Sequence, residues 1–129
     1  MIRNLLLIDD DEDEINIFTE ALHTAGIPAN CRWVKNAISA RNVSPMPDII
    51  FLDINMPRLD GFECLADIKK CPTLFAVPVI LYSTGMNNSM REKGLSSGAA
   101  GCIAKTYSIY DLSNTLKNLF CNFGLPFKN

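Results

Sequence analysis

The sequence predicts an α/β sandwich built on a parallel sheet. Two observations carry this. Four short apolar runs, Leu5–Ile8, Ile49–Leu52, Val77–Tyr82 and Ala99–Ala104, lack the alternation of a half-exposed strand. Runs of that kind belong to strands buried on both faces, the condition of a parallel sheet covered by helices. Strand-like and helix-like stretches also alternate five times along the chain, which places the strands in one sheet with helices as crossovers.

The elements follow in order. Leu5–Ile8 reads as the first strand. Ile15, Ile17, Phe18, Ala21, Leu22 and Ala25 recur at helical spacing, and Gly26 then Pro28 end that helix. The acids that precede it suit the positive end of a helix dipole. Cys31–Lys35, centred on Trp33 and Val34, reads as a strand, with Trp33 packed against a helix. Ala37–Arg41 is a short helix broken by the Ser44-Pro45-Met46-Pro47 stretch. Ile49–Leu52 is a strand ending at Asp53. Leu59–Lys70 is a helix with Phe62, Leu65, Ala66 and Ile68 on one side. Val77–Tyr82 is a strand ending at Ser83-Thr84. Asn88–Ser97 is a helix with a weak apolar face. Ala99–Ala104 is a short strand ending at Lys105, and Ile109, Leu112, Leu116, Leu119 and Phe120 mark the last helix. The tail 124–129 is expected to fray.

Composition narrows the function classes. A chain of 129 residues suits one domain, and a hydrophobic share of 48% supplies a core. The net charge of -2 gives no electrostatic footprint for nucleic acid or a membrane surface. The five cysteines form no C-x-x-C pair, and His23 is the single histidine, which argues against structural zinc and against a disulfide framework. Free buried thiols in a reducing cytoplasm are the reading that remains, with His23 at the surface. The apolar part of Met1–Ile8 is too short for a signal peptide or a membrane span.

The chemistry gathers at the ends of the runs. They stop at Asp9, Asp53, Ser83 and Lys105. In an open parallel sheet, ligands bind beyond the carboxyl ends of the strands, so these residues should meet. Asp10 adds a third carboxylate. Three carboxylates in one cleft repel one another, and a hard divalent cation such as Mg²⁺ relieves the repulsion. A carboxylate can also act as a nucleophile toward phosphorus, with an ammonium holding a phosphoryl oxygen and a hydroxyl donating a hydrogen bond. The rest of the acidic run, Asp11, Glu12, Asp13 and Glu14, reads as a solvated helix start.

Four stretches together resemble the receiver domain of bacterial two-component response regulators. They are Leu6–Asp11, Asp48–Gly61 (with Met56-Pro57 and Asp60-Gly61), Val77–Thr84 and Gly98–Lys105. The resemblance spans nearly the whole chain in the right order. It implies a receiver domain over 1–123 with a short tail over 124–129, in the manner of a stand-alone, chemotaxis-regulator-like member. It implies a flavodoxin-like (βα)5 doubly wound sandwich with strand order 2-1-3-4-5. By the same resemblance Asp53 is the phospho-acceptor. Asp10 is the direct metal ligand, Asp9 its water-mediated partner, and the Asn55 backbone carbonyl completes a Mg²⁺ site. Ser83 is the switch hydroxyl, Thr84 offers a backbone N–H, and Lys105 pairs with the phosphoryl group. The donor is the phosphohistidine of a histidine kinase or histidine phosphotransfer protein. Such a domain is no enzyme toward other substrates: it catalyses its own phosphorylation and slow autodephosphorylation. With no sequence left for an effector domain, output is expected by contact of residues 88–121 with a downstream protein, in the cytoplasm and without direct nucleic-acid binding.

Three positions depart from the family pattern. Thr106 stands where proline usually follows the lysine, and a cis bond before a non-proline residue costs about 3 kcal/mol. Cys102 stands where an aromatic ring usually follows the switch hydroxyl. Gly85, two residues past Ser83, offers no side chain to position or exclude water. Three other functions compete. A flavin binder would need a phosphate-cradling loop where this chain has acids. An aspartyl-nucleophile Mg²⁺ phosphatase would need an acid at Asn55 to protonate the leaving group. A receiver-like interaction module acting without phosphorylation has no use for the intact acidic set.

Overall fold

The computed structural model describes residues 4–56, 59–106 and 108–122, the side chains of Met56, Leu59 and Asn122 excepted. The chain alternates β1 (Asn4–Ile8), α1 (Glu14–Thr24), β2 (Asn30–Val34), α2 (Ala37–Ala40), β3 (Ile49–Asp53), α3 (Gly61–Lys70), β4 (Val79–Ser83), α4 (Asn88–Ser96), β5 (Gly101–Ala104) and α5 (Ile109–Asn122). The five strands form one parallel sheet in the order β2-β1-β3-β4-β5. Class, order and alternation are those the sequence predicts. The expected fraying of 124–129 and the domain end at 123 lie outside the described residues.

Period-two alternation divides the core between the two faces. Leu5, Leu7, Phe51, Ile80 and Tyr82 pack against Phe18, Leu22, Leu112, Leu116 and Phe120 of α1 and α5. Leu6, Ile8, Ile50, Leu52 and Leu81 pack against Ala37, Ala40, Leu65 and Ile68 of α2 and α3. All of Leu5–Ile8 and Ile49–Leu52 are fully buried, which explains why those runs carry no polar position.

Element ends moved for local reasons. The third helix starts at Gly61 rather than Leu59, because the Asp60 carboxylate accepts the Phe62 N–H and so caps it. Asn55–Met56 pairs antiparallel with Leu59–Asp60 in a small ladder that the sequence did not signal. Pro78 has no N–H to give, so β4 begins at Val79, although the Pro78 carbonyl still accepts from Ile50. Asn36 and Asn87 cap α2 and α4 by accepting from Ser39 and Met90. The weak apolar face expected of α4 is observed: Gly94 is its buried residue, and Leu95 is exposed.

The thiols correct one expectation. Cys64 and Cys71 are buried, but Cys31 and Cys102 are half-buried and Cys121 is exposed. Cys121 follows the buried Phe120, and one step along a helix turns a side chain about 100° away from the core. Burial pushes Cys31 up to about 12 and Cys64 up to about 11, which keeps both thiols protonated and unreactive. His23 is exposed in the last turn of α1, as expected.

Candidate functional site

The carboxyl ends of β1, β3, β4 and β5 bring the four predicted residues to one place. Asp9 directly follows β1 and is fully buried. Its backbone N–H donates to the Val34 carbonyl (3.2 Å) and its Oδ1 accepts the Asp11 N–H at 2.9 Å. Asp53 is the last residue of β3, 3% exposed, with Oδ1 accepting the Asn55 N–H at 2.9 Å. Ser83 is the fully buried last residue of β4. Lys105 follows β5, tied back by its N–H to the Ser83 carbonyl at 2.9 Å.

The Lys105 ammonium draws the site together. Its Nζ lies 3.0 Å from Asp9 Oδ2, 3.4 Å from Asp53 Oδ2 and 3.5 Å from Glu14 Oε1. It also stands 5.2 Å from the centre of the Tyr82 ring, a cation–π distance. Burial pulls its pKa down, but the hydrogen bond to Asp9 and the charges of Asp53, Asp9 and Glu14 outweigh this and raise it. Lys105 is therefore a fixed cation rather than a proton carrier.

The acids carry the opposite tension. One carboxylate oxygen each from Asp9, Asp10 and Asp53 lies within 4.8 Å of the others. At an effective dielectric of about 20, two unit charges that close repel by about 3 kcal/mol. Burial, followed by the Asp53 charge, raises the Asp9 pKa against the pull of the Asp11 N–H and Lys105. Asp10 is exposed, yet desolvation and the Asp9 charge raise it as well. Three hard oxygen donors held together against repulsion suit a divalent cation.

Three contributions were not legible in the sequence. Glu14 is half-buried and ion-paired, which corrects its reading as part of a solvated helix start; exposed Asp11, Glu12 and Asp13 keep that reading. The Asn55 side chain donates from Nδ2 to Ser83 Oγ at 2.6 Å and to the Thr84 carbonyl at 3.1 Å. Ser83 Oγ in turn donates to the Thr84 carbonyl at 2.9 Å. Trp33 packs on the α1–α5 face and also donates its indole N–H to the Asp9 carbonyl at 2.8 Å, fixing the turn that carries the acids.

The departures have plain local structures. Lys105–Thr106 is trans, since among the described residues the cis peptide is Ser44–Pro45. Cys102 is half-buried beside α4. Its carbonyl accepts from Arg91 Nη1 at 3.1 Å, and burial raises its thiol pKa despite that cation. Gly85 has φ +68°, a left-handed turn that suits glycine directly after the Ser83-Thr84 pair.

Residues 5–117 match the family described as the response regulator receiver domain. The chain belongs to that family. Response regulator Rcp1 of Synechocystis is 32% identical to this receiver over 92 residues, 64% of this chain and 63% of Rcp1. Response regulator PleD of Caulobacter vibrioides is 30% identical over 105 residues, 81% of this chain but 23% of PleD. The receiver thus spans under two thirds of the length of both relatives. The phosphorylated cyanobacterial phytochrome response regulator RcpA superposes with a TM-score of 0.76 at 26% identity, covering all of both chains. The Mn²⁺-bound form of Rcp1 gives a TM-score of 0.75 at 25% identity over 98% of this chain and 97% of that one. The receiver is flavodoxin-like and serves two-component signalling, where such domains interact with histidine kinases and downstream regulators. No described helix is long and apolar enough to cross a membrane.

Proposed function

We propose that this receiver takes a phosphoryl group onto Asp53 from the phosphohistidine of a histidine kinase or phosphotransfer protein. The observation that carries it is the convergence of the Asp9, Asp10 and Asp53 carboxylates, with Asp9 and Asp53 both paired to the Lys105 ammonium and the Ser83 hydroxyl held by Asn55. One Asp53 oxygen attacks phosphorus. The bond from phosphorus to the histidine nitrogen breaks, and its electron pair stays on the imidazole. The Asn55 N–H on Oδ1 and Lys105 on Oδ2 orient the Asp53 carboxylate. Lys105 then follows the phosphoryl oxygens, and Ser83 exchanges the Thr84 carbonyl for one of them. The Thr84 backbone N–H is a second donor.

Mg²⁺ is the proposed cofactor, and the all-oxygen donor set fits it. Asp9, Asp10, Asp53 and the Asn55 carbonyl would hold it. When bound it neutralises charge on the incoming phosphoryl group. Mn²⁺ in Rcp1 supports a divalent ion in this class of site. The test is acetyl phosphate with Mg²⁺, followed by intact mass. One added phosphoryl group, absent without the metal, is expected. Rapid multi-turnover hydrolysis of phosphate esters would instead indicate a phosphatase, and no mass gain a module that acts without phosphorylation.

Metal binding should report through Trp33, the one tryptophan, because its indole holds the Asp9 carbonyl. A Mg²⁺ titration at neutral pH is expected to change its emission. Burial raises Asp9 and Glu14, and desolvation with the Asp9 charge raises Asp10. Groups raised on folding are easier to protonate when folded. The metal-free receiver should therefore gain stability as pH falls from neutral through those raised values, and gain nothing more below the ordinary carboxylate range. Protons and Mg²⁺ compete for the same oxygens, so the midpoint of the titration should move to higher Mg²⁺ over the same window. A midpoint that stays constant from neutral pH down to the ordinary carboxylate range would contradict this.

Output is proposed to run through residues 88–121, in the cytoplasm, to a downstream protein. The thin packing of α4, with Gly94 its buried residue next to Leu81 and Cys102, supports a face that can shift. A pull-down should recover more partner with the phosphorylated receiver. Equal recovery in both states would contradict it.

A further inference from the structure

The Lys105 ammonium touches one carboxylate that the phosphoryl-transfer roles do not use. Glu14, the first residue of α1, stands 3.5 Å from Nζ, and both side chains are 11% exposed. At that burial solvent screens the charge only in part. Its place in the first turn of α1 also favours a negative charge there. Lys105 is therefore shared among Asp9, Asp53 and Glu14, with Asp9 and Glu14 both on the segment that runs from the end of β1 into α1. When Asp53 becomes an acyl phosphate, it adds a group bearing about two negative charges. The same ammonium must then turn toward the phosphoryl oxygens. Asp9 lies in the metal cluster, so its charge is compensated from a second side when a cation binds. Among the described residues Glu14 lies outside that cluster, and it is ion-paired with Lys105.

Resting on the phosphorylation of Asp53 proposed above, we infer that Glu14 is a positioning residue that tethers Lys105 toward α1 and competes with the phosphoryl group for it. The tether holds the unphosphorylated receiver in place and slows its conversion. Glu14→Gln removes the competing charge and keeps the shape. Freed from this partner, Lys105 meets the incoming group sooner, and one negative charge that repels it is gone.

The experiment compares wild type, Glu14→Gln, Glu14→Asp and Asp53→Asn with acetyl phosphate and Mg²⁺, reading the labelling rate by intact mass and the Mg²⁺ midpoint by Trp33 emission. An ion pair of this exposure corresponds to about a fivefold change in rate. Glu14→Gln is expected to label about fivefold faster than wild type, with a Mg²⁺ midpoint equal to or above the wild-type value. Glu14→Asp, which keeps the charge with a shorter reach, is expected in between, and it serves also if Glu14→Gln fails to fold. A merely structural role would weaken Mg²⁺ binding and slow labelling together. A Glu14→Gln rate within twofold of wild type, or slower, overturns the tether and leaves Asp53 phosphorylation standing. Failure of the wild type to label, or labelling that persists in Asp53→Asn, overturns both.

Discussion

Asp53→Asn is expected to abolish phosphoryl labelling while leaving a folded receiver. Asparagine has nearly the shape of aspartate, and its Oδ1 can still accept the Asn55 N–H that orients the side chain. Its other oxygen becomes an NH₂ group, which is no nucleophile toward phosphorus. That group also faces the Lys105 ammonium, donor against donor, where Asp53 Oδ2 now sits at 3.4 Å. Labelling should fall at least about a hundredfold, since the nucleophile itself is gone. The effect on stability should be small, within about 1 kcal/mol, because two opposed changes meet. One contact to Lys105 is lost, but so is a charge that raises Asp9. Thermal melts with intact-mass labelling check both halves. A variant that labels at the wild-type rate would move the acceptor elsewhere.

Gly61→Ala is expected to destabilise the receiver substantially. A Cβ at Gly61 would lie 2.3 Å from the Ile54 Cα and 2.7 Å from its Cβ. The first of these is backbone, so no flexible side chain can move aside. Relief requires α3 to back away from the segment that follows β3. Overpacking of this severity costs about 3 kcal/mol, or about 10 °C in melting temperature for a domain of this size. The displaced segment carries Asn55, whose side chain holds Ser83 and the Thr84 carbonyl. Labelling should therefore slow as well, even below the melting transition. A melting temperature within two degrees of wild type, measured by circular dichroism, would show that the contact relaxes at little cost. Gly94 is a softer case: a Cβ there would meet the Leu81 Cδ1 at 2.3 Å, the end of a side chain that can rotate.

Much of the site was legible because strand ends are legible. A run buried on both faces stops where the first polar residue appears, and in a parallel sheet all such stops fall on one edge. Asp9, Asp53, Ser83 and Lys105 are such stops, and the structure gathers them. Asp10 entered beside Asp9 as the third carboxylate, and the family pattern then supplied Asn55 and Thr84. Helix limits were legible to within a residue or two. The two-residue difference at Leu59 and Asp60 arose because an aspartate caps by its own side chain, while apolar spacing carries no sign of that.

The alternation of elements, the parallel sheet and the edge where chemistry collects are readable along the chain. These follow from burial patterns that each segment displays locally. Tertiary structure alone decided the partners. Glu14 stands in a run of six acids, and nothing in that run marks which one turns inward. The phase of α1 and the arrival of Lys105 from the far end of the chain select it. Trp33 looked like packing and is packing, but strand order also places its N–H on the Asp9 carbonyl. Asn55 entered for its backbone, and the turn after β3 aims its side chain at Ser83. Each of these contacts joins residues distant in the chain through a few ångströms of geometry. Local patterns fix which face is buried, whereas side-chain reach across the sheet edge exists only once the strands are assembled.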